Sequence, residues 1–265
     1  MRVYDTDKAS DFNDLMAMRP YGSPQVFPRR ELYGSAKALG KGLVPVEAGL
    51  DSLVQPDQYE DVLKEAHEKQ TLPIYHLQAT WRPPGLVWNQ NGLGYCWTWS
   101  GTGCLMTCRA MEGKPTVLLA PVSMGYLVGW ADRGNYLDSF IQGARNDGVC
   151  PAIDGDFNST DTSASYWAQY KEQRKLYRLD TVWDTNTASM KQHCLSGLSY
   201  GRSGYAAWIY LSHAMELVSI HIVNGVWYWD ISNSHLSDKG EVITMTGSRA
   251  APSECYFFVS TEVTE

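Results

Sequence analysis

From Leu198 onward the chain changes texture, and that change limits the folds open to it. Five runs rich in β-branched and aromatic residues follow one another: Tyr205–Leu211, Met215–Val223, Val226–Ile231, Glu241–Met245 and Cys255–Val259. Two of them are separated only by Asn224-Gly225, a pair that tolerates two consecutive positive φ angles, so the spacing predicts a β-hairpin. The earlier half reads as helical. Asp57-Gln58-Tyr59-Glu60 looks like a capping box opening a helix with Tyr59, Val62, Leu63 and Ala66 on one face. A buried helix is expected from Trp97 to Met111, with Gly101 and Gly103 permitting close approach of a neighbour. Ser123 is expected to cap the next helix, and Tyr136–Arg145 and Tyr166–Tyr177 to be helical. Helices segregated from strands in this way make an α+β fold. At 265 residues and 44% hydrophobic content, the chain can build the core of one or two domains.

The chemistry gathers at Asn89-Gln90-Asn91-Gly92-Leu93-Gly94-Tyr95-Cys96-Trp97, where a glycine-rich loop gives way to the apolar helical run. Far downstream stand Ser212-His213-Ala214 and Tyr228-Trp229-Asp230-Ile231-Ser232-Asn233-Ser234. A Gln, a Cys, a distant His and a more distant Asn are the parts of a thiol hydrolase. Only a thiolate attacks carbonyl carbon, and a helix N-terminus and a neighbouring imidazolium both favour it. In this pattern Cys96 is the nucleophile and His213 the general base and acid. Asn233 would accept the second ring N–H and orient the imidazole, as an Asp does in serine triads. The Gln90 amide and the Cys96 backbone N–H would receive the developing oxyanion.

These residues carry a resemblance. Gln90, Gly94, Cys96 and Trp97 fit without a gap the Gln-x-x-x-Gly-x-Cys-Trp run of the papain-like cysteine peptidases. Thr80-Trp81-Arg82 resembles the Asp-Trp-Arg that opens their mature enzymes, Ser212-His213-Ala214 their Asn-His-Ala, and Tyr228 to Ser234 their Tyr-Trp-x-x-x-Asn-Ser strand. The resemblance covers about residues 80–260. It implies a two-lobed fold: a helical lobe, about 90–190, carrying the cysteine, and an antiparallel, β-barrel-like lobe, about 191–265, carrying His213 and Asn233. It also implies a peptide or protein substrate held beside Trp97 and by the backbone at Gly134, and no cofactor or metal. The departures are specific. Leu93 replaces a disulfide-bonded cysteine, Tyr95 a small residue, His235 the tryptophan that shields the asparagine, and only Gly134, before Asn135, matches a pair of substrate-binding glycines. The type implied is a divergent intracellular or virus- or phage-encoded one.

Residues 1–75 read as an extension. With Pro20, Pro24, Pro28 and Pro45, residues 1–55 are expected to form an extended strap with few regular elements, available to protein partners in an assembly, and one helix follows. Residues 76–265 would form the papain-like domain. A net charge of −7 argues against nucleic acid or an anionic membrane surface as the main partner. Residues 1–25 lack the apolar core of a signal peptide, no window reaches a membrane span, and six cysteines of which one is catalytic cannot all pair. A cytoplasmic protein made in a reducing compartment is expected, with incorporation into a virion open to it. Gly34 to Gly42 is spaced one residue too long for a phosphate loop and lacks its Ser/Thr. Neither Cys-x-x-Cys nor His-Glu-x-x-His supports zinc, Asn158-Ser159-Thr160 reads as a loop, and His193-Cys194, His221 and His235 are assigned no chemistry. Three functions remain: a peptidase or amide hydrolase working through a Cys96 thioester, a structural or virion component that keeps the fold with a residual or inactive site, and a thiol acyltransferase or amidase on the same fold.

Overall fold

The computed structural model describes residues 2–17, 53–82, 86–127, 134–152, 157–183, 189–234 and 242–261. Most of the expected strap, the Gly34 to Gly42 run and His235 lie outside them.

After the helices α1 (Ala9–Ala17), α2 (Tyr59–Glu68) and α3 (Pro73–Ala79) comes α4 (Cys96–Met111), the central element, buried from Cys96 through Arg109. A helix enclosed on all faces needs its polar side chains satisfied from within. Thr98 Oγ1 bonds back to the Tyr95 carbonyl and Ser100 Oγ to that of Cys96, both at 2.9 Å. Its two glycines are contact points. A Cβ on Gly101 would lie 2.5 Å from the ring of Phe140 on the helix Leu137–Asn146, and one on Gly103 would lie 2.7 Å from the Glu216 carboxylate.

One face of α4 rests on a seven-stranded sheet. In chain order the strands are β1 (Val3–Asp5), β2 (Leu179–Trp183), β3 (Gly204–Trp208), β4 (His213–Val223), β5 (Val226–Ser232), β6 (Val242–Thr246) and β7 (Glu254–Thr261). Their spatial order is β1-β6-β5-β4-β3-β7-β2. All neighbours are antiparallel except β1 and β6. The Asn224-Gly225 turn joins β4 to β5 with φ of 51° and 75°, as the hairpin reading requires. The barrel-like expectation is corrected here: β1 and β2 end the order without pairing to each other, so the sheet is open and no barrel closes.

The sheet is buried on both faces, with the alternation that a period of two dictates. Tyr205 and Ala207 of β3 and Tyr256 and Phe258 of β7 join the cluster around α4. Ala206 and Trp208, and Cys255 and Phe257, join the opposite cluster, with Leu195 and Leu198 of the helix Met190–Ser199 and Leu63 and Ala66 of the helix Tyr59–Glu68. The N-terminal segment therefore holds more regular structure than a strap with one helix. It supplies β1 to the sheet edge, the helix Ala9–Ala17 beside it, and the Tyr59–Glu68 helix to the core. That helix is preceded by a 3-10 turn, Pro56–Gln58, whose Gln58 Oε1 accepts from the Gln55 N–H at 3.2 Å, so the helical entrance starts before Asp57. Ser123 does not cap: it lies within the helix Val122–Leu127, its hydroxyl donating to the Ala120 carbonyl and accepting the Cys150 N–H. Trp81, Trp88, Trp97, Trp99, Trp167, Trp208 and Trp229 are fully buried, which makes much of the aromatic excess core material. All six cysteines are free and buried.

The Gly101 contact gives a prediction. Phe140 is stacked on Phe258 at 6.2 Å and edge-on to Tyr205 at 5.5 Å, so its ring has no room to withdraw. Gly101→Ala is expected to cost about 1–3 kcal/mol, as overpacked cores do, and to lower the urea midpoint. An unchanged midpoint would contradict this packing.

Candidate active site

Cys96 is the first residue of α4, and Tyr95 caps that helix without a side-chain hydrogen bond. The leading N–H groups are thereby left for whatever lies at the N-terminus. The Ala214 N–H reaches Sγ at 3.4 Å across the lobes, and the Cys96 and Trp97 N–H groups also favour charge on the sulfur. Tyr95, where a small residue was expected, sends its ring into the helical core. It packs edge-on to Trp97 at 6.1 Å, and its phenol end occupies the space over Gly125. Trp97 is itself fully buried, and its carbonyl accepts the Tyr205 hydroxyl at 2.7 Å, so it backs the cysteine from the core side.

His213 opens β4. The chain reaches it through the 3-10 turn Ile209–Leu211 and Ser212, whose left-handed φ of 49° swings the strand back alongside β3. Because Ala214 contacts the sulfur, the residue before it stands at the mouth of α4. His213 Nε2 meets Asn233 Oδ1 at 2.8 Å, from the end of the neighbouring strand β5. An amide oxygen only accepts, so Nε2 carries the proton and Nδ1 is the basic nitrogen.

Gln90 is locked to the same segment. Its backbone N–H donates to the Ser234 carbonyl at 2.9 Å and its Oε1 accepts the Ser234 hydroxyl at 2.8 Å. Its Nε2 donates to the Leu93 carbonyl at 2.7 Å. With the oxygen side fixed by Ser234, a single orientation of the amide remains, and a primary amide has a second N–H to offer. The structure thus joins Cys96 to β4, His213 to Asn233, and Gln90 to Ser234 within one buried region. Gly134 is also buried, beside Asn135, whose Oδ1 accepts from the Tyr136 N–H at 2.8 Å and the Ser139 hydroxyl at 3.0 Å.

Burial governs the electrostatics. Gln90, Cys96 and Asn233 are fully enclosed and His213 is 2% exposed. Desolvation pushes the Cys96 thiol up to about 12, against the three backbone N–H groups that lower it. Cys96 in this closed arrangement is a neutral thiol. Glu216, three residues beyond His213, is likewise pushed up by burial. The hydroxyls of Ser203 and Thr107 and the Arg82 charge act the other way.

The supporting roles of three residues escaped the sequence reading. Asn158 Oδ1 accepts the Asn89 N–H at 2.9 Å and its Nδ2 donates to the Val87 carbonyl at 2.7 Å, pinning the loop that carries Gln90. Arg82 donates to Ser232 Oγ and, at 2.8 Å, to the Asn233 carbonyl. Glu216 accepts from Thr107 at 2.7 Å and Ser203 at 2.6 Å. A glutamate inside the apolar run Met215–Val223 was a visible signal for the last; the other two depend on contacts about 70 and 150 positions away. Two further histidines have partners of their own. His193 Nε2 meets the Cys255 carbonyl at 2.9 Å, and His221 pairs with Asp230 at 3.3 Å and stacks on Tyr228. Among the described residues no cluster of His, Cys, Asp and Glu is arranged to hold a metal, and no helix is long and apolar enough to cross a membrane.

No family model matches the sequence, and no curated protein does. Solved structures do resemble the fold. Xylellain, a cysteine protease from Xylella fastidiosa, aligns with a TM-score of 0.51 at 15% identity over 68% of this chain and 84% of that one. The Amb a 11 cysteine protease of ragweed pollen, in its proform, gives 0.51 at 14% identity over 67% and 63%. Digestive procathepsin L 3 of the Tenebrio molitor larval midgut gives 0.47 at 16% identity over 64% and 65%, so the chain spans less than two-thirds of that protein. The fold is the papain-like, two-lobed α+β arrangement, with its sheet left open.

The buried thiols set an alkaline limit. Cys96 and Cys108 both sit at about 12 in the folded chain against an ordinary 9.0, each raised chiefly by desolvation. A folded value above the unfolded one means that the stability they contribute is complete below about pH 9 and is lost as pH rises toward 12. Urea denaturation from pH 8 to 10.5 is expected to show a shallower alkaline decline for Cys96→Ala than for wild type, by up to about 1.4 kcal/mol per pH unit. Parallel declines would show that the thiol ionises as easily folded as unfolded.

Proposed function

We propose that this chain is a papain-like cysteine hydrolase that cleaves peptide or related amide bonds through a Cys96 thioester. The observation that carries the reading is the pair of contacts made by adjacent residues of β4: Ala214 N–H on Cys96 Sγ, and His213 Nε2 on Asn233 Oδ1. That pair sits in a fold shared with proteins described as cysteine proteases.

The steps follow from the groups present. Opening the site to solvent and substrate relieves the desolvation that holds the thiol neutral. The helix N-terminus, the three N–H groups and a protonated His213 then favour the thiolate. Sulfur attacks the carbonyl carbon, and the oxygen takes up negative charge beside the Gln90 amide and the Cys96 N–H. The C–N bond breaks as His213 protonates the departing amine, leaving a thioester. Water, deprotonated by His213, attacks that thioester and releases the acid and the thiol. Asn233 holds the ring in one orientation throughout, its Oδ1 accepting the Nε2–H. In this reading the buried segment at Gly134 offers backbone to the substrate and Trp97 supports the wall behind the nucleophile. Six free cysteines support synthesis in a reducing compartment, and a peptide or protein is the substrate class.

Incubation with an epoxide that alkylates activated thiols, followed by mass spectrometry, tests the reading. One adduct on Cys96 of the folded protein is expected, lost in Cys96→Ala and His213→Ala. Reaction at Cys96 only in denaturant would contradict hydrolase function and leave a chain that keeps the fold around a closed site.

A further inference from the structure

Asn233 is held at both ends. Its side-chain oxygen fixes His213, and its backbone carbonyl is fixed by Arg82. The same guanidinium bonds Ser232 Oγ on one side of it, while Ser234 on the other side holds Gln90 through backbone and side chain. The tripeptide Ser232-Asn233-Ser234 thus carries both the orienter of the base and the anchor of the oxyanion donor.

Arg82 is built to hold this strip still. It is 4% exposed, and its backbone N–H is tied to the Leu77 carbonyl at 3.0 Å. Its guanidinium lies 5.9 Å from the Trp81 ring, and the Trp81 indole N–H is bound to Thr107 of α4 at 3.0 Å. A planar fork spans two consecutive residues, which a lysine ammonium cannot do with the same rigidity. Its charge favours the ionised form of a buried carboxyl, that of Glu216. Glu216 is 1% exposed and lies opposite Ser232 in the β4–β5 register. Thr107 and Ser203 hold its Oε1, and Gly103 leaves it room at α4.

We infer that Arg82 is a positioning residue of this site: it clamps the Ser232–Asn233 peptide, and through the Asn233 amide it sets the His213 ring, with Glu216 as its buried counter-charge. The inference rests on reading Cys96, His213 and Asn233 as a reactive group. A side chain that only neutralised Glu216 would have no need of the Asn233 carbonyl.

The test reads the imidazole directly. Protein labelled with nitrogen-15 at histidine is examined by long-range proton–nitrogen NMR, with His213 assigned through His213→Ala. Wild type is expected to show a fixed Nε2–H tautomer. Arg82→Gln should move the His213 ring nitrogens toward averaging between tautomers, and Arg82→Lys should recover only part of the wild-type pattern. The double variant Arg82→Gln/Glu216→Gln removes both buried charges together and keeps the fold testable if the single variant does not fold. Its His213 signal should remain shifted. Where wild type shows turnover, kcat for Arg82→Gln should fall about 10- to 100-fold with KM nearly unchanged, the signature of displaced geometry. A wild-type His213 signal in folded Arg82→Gln, or its restoration in the double variant, would overturn the inference and make Arg82 a counter-ion alone. Absence of turnover and of Cys96 labelling in wild type would sink the hydrolase reading separately, because the ring signal decides the role of Arg82 without activity.

Discussion

A helix buried along nearly its whole length has to be covered on every side, and the rest of this structure is arranged around that demand. The N-terminus of α4 meets β4 through the Ala214 N–H on Cys96 Sγ. Its middle admits Phe140 and Glu216 over two glycines. Farther along, Thr107 accepts the Trp81 indole N–H and donates to Glu216. Loss of the helix would leave the sheet face carrying Tyr205, Tyr256 and Phe258 without its cover. Cys96 meets β4 at Ala214 because the helix and the strand bury their surfaces against each other.

Enclosure and reactivity pull against each other at Cys96. A rise from 9.0 to about 12 corresponds to roughly 4 kcal/mol against the thiolate. A helix N-terminus returns about 0.3–1 kcal/mol, up to ~2 in the most favourable partly buried settings. Burial therefore wins in the closed arrangement, and the thiol stays protonated despite three N–H donors. Reactivity under this account requires admission of solvent or substrate, which makes access to the site the step that turns a stable core cysteine into a nucleophile. The surrounding polar groups are already paired for that moment: Asn233 with His213, Ser234 with Gln90, Arg82 with Asn233.

Much of this was legible in the sequence, and the failures have physical causes. The β runs after Leu198 and the Asn224-Gly225 turn were readable because period two and positive φ leave local marks. The Cys96 helix was readable because a glycine-rich loop gives way to an apolar run. Strand β1 was not, since three residues carry no periodicity and their pairing with β6 lies some 240 positions away. Strand β2 was missed because its alternation is broken by register shifts against β7. The open sheet follows from where those two short strands end, which no local pattern encodes. At the site, Cys96, His213, Asn233 and Gln90 were visible as residue types in order. Asn158, read as a loop residue, acts through its bonds to a segment about 70 positions away.

We propose that Gln90, Cys96, His213 and Asn233 act on one carbonyl group. A crystal structure of the protein treated with a peptide aldehyde tests it most directly, because the hemithioacetal oxygen marks where an oxyanion would form. A bond from Cys96 Sγ to the aldehyde carbon is expected, with the oxygen within about 2.7–3.1 Å of Gln90 Nε2 and the Cys96 N–H. His213 should lie over the adduct, still bonded to Asn233. An unmodified Cys96, or an adduct whose oxygen turns away from Gln90, would contradict it.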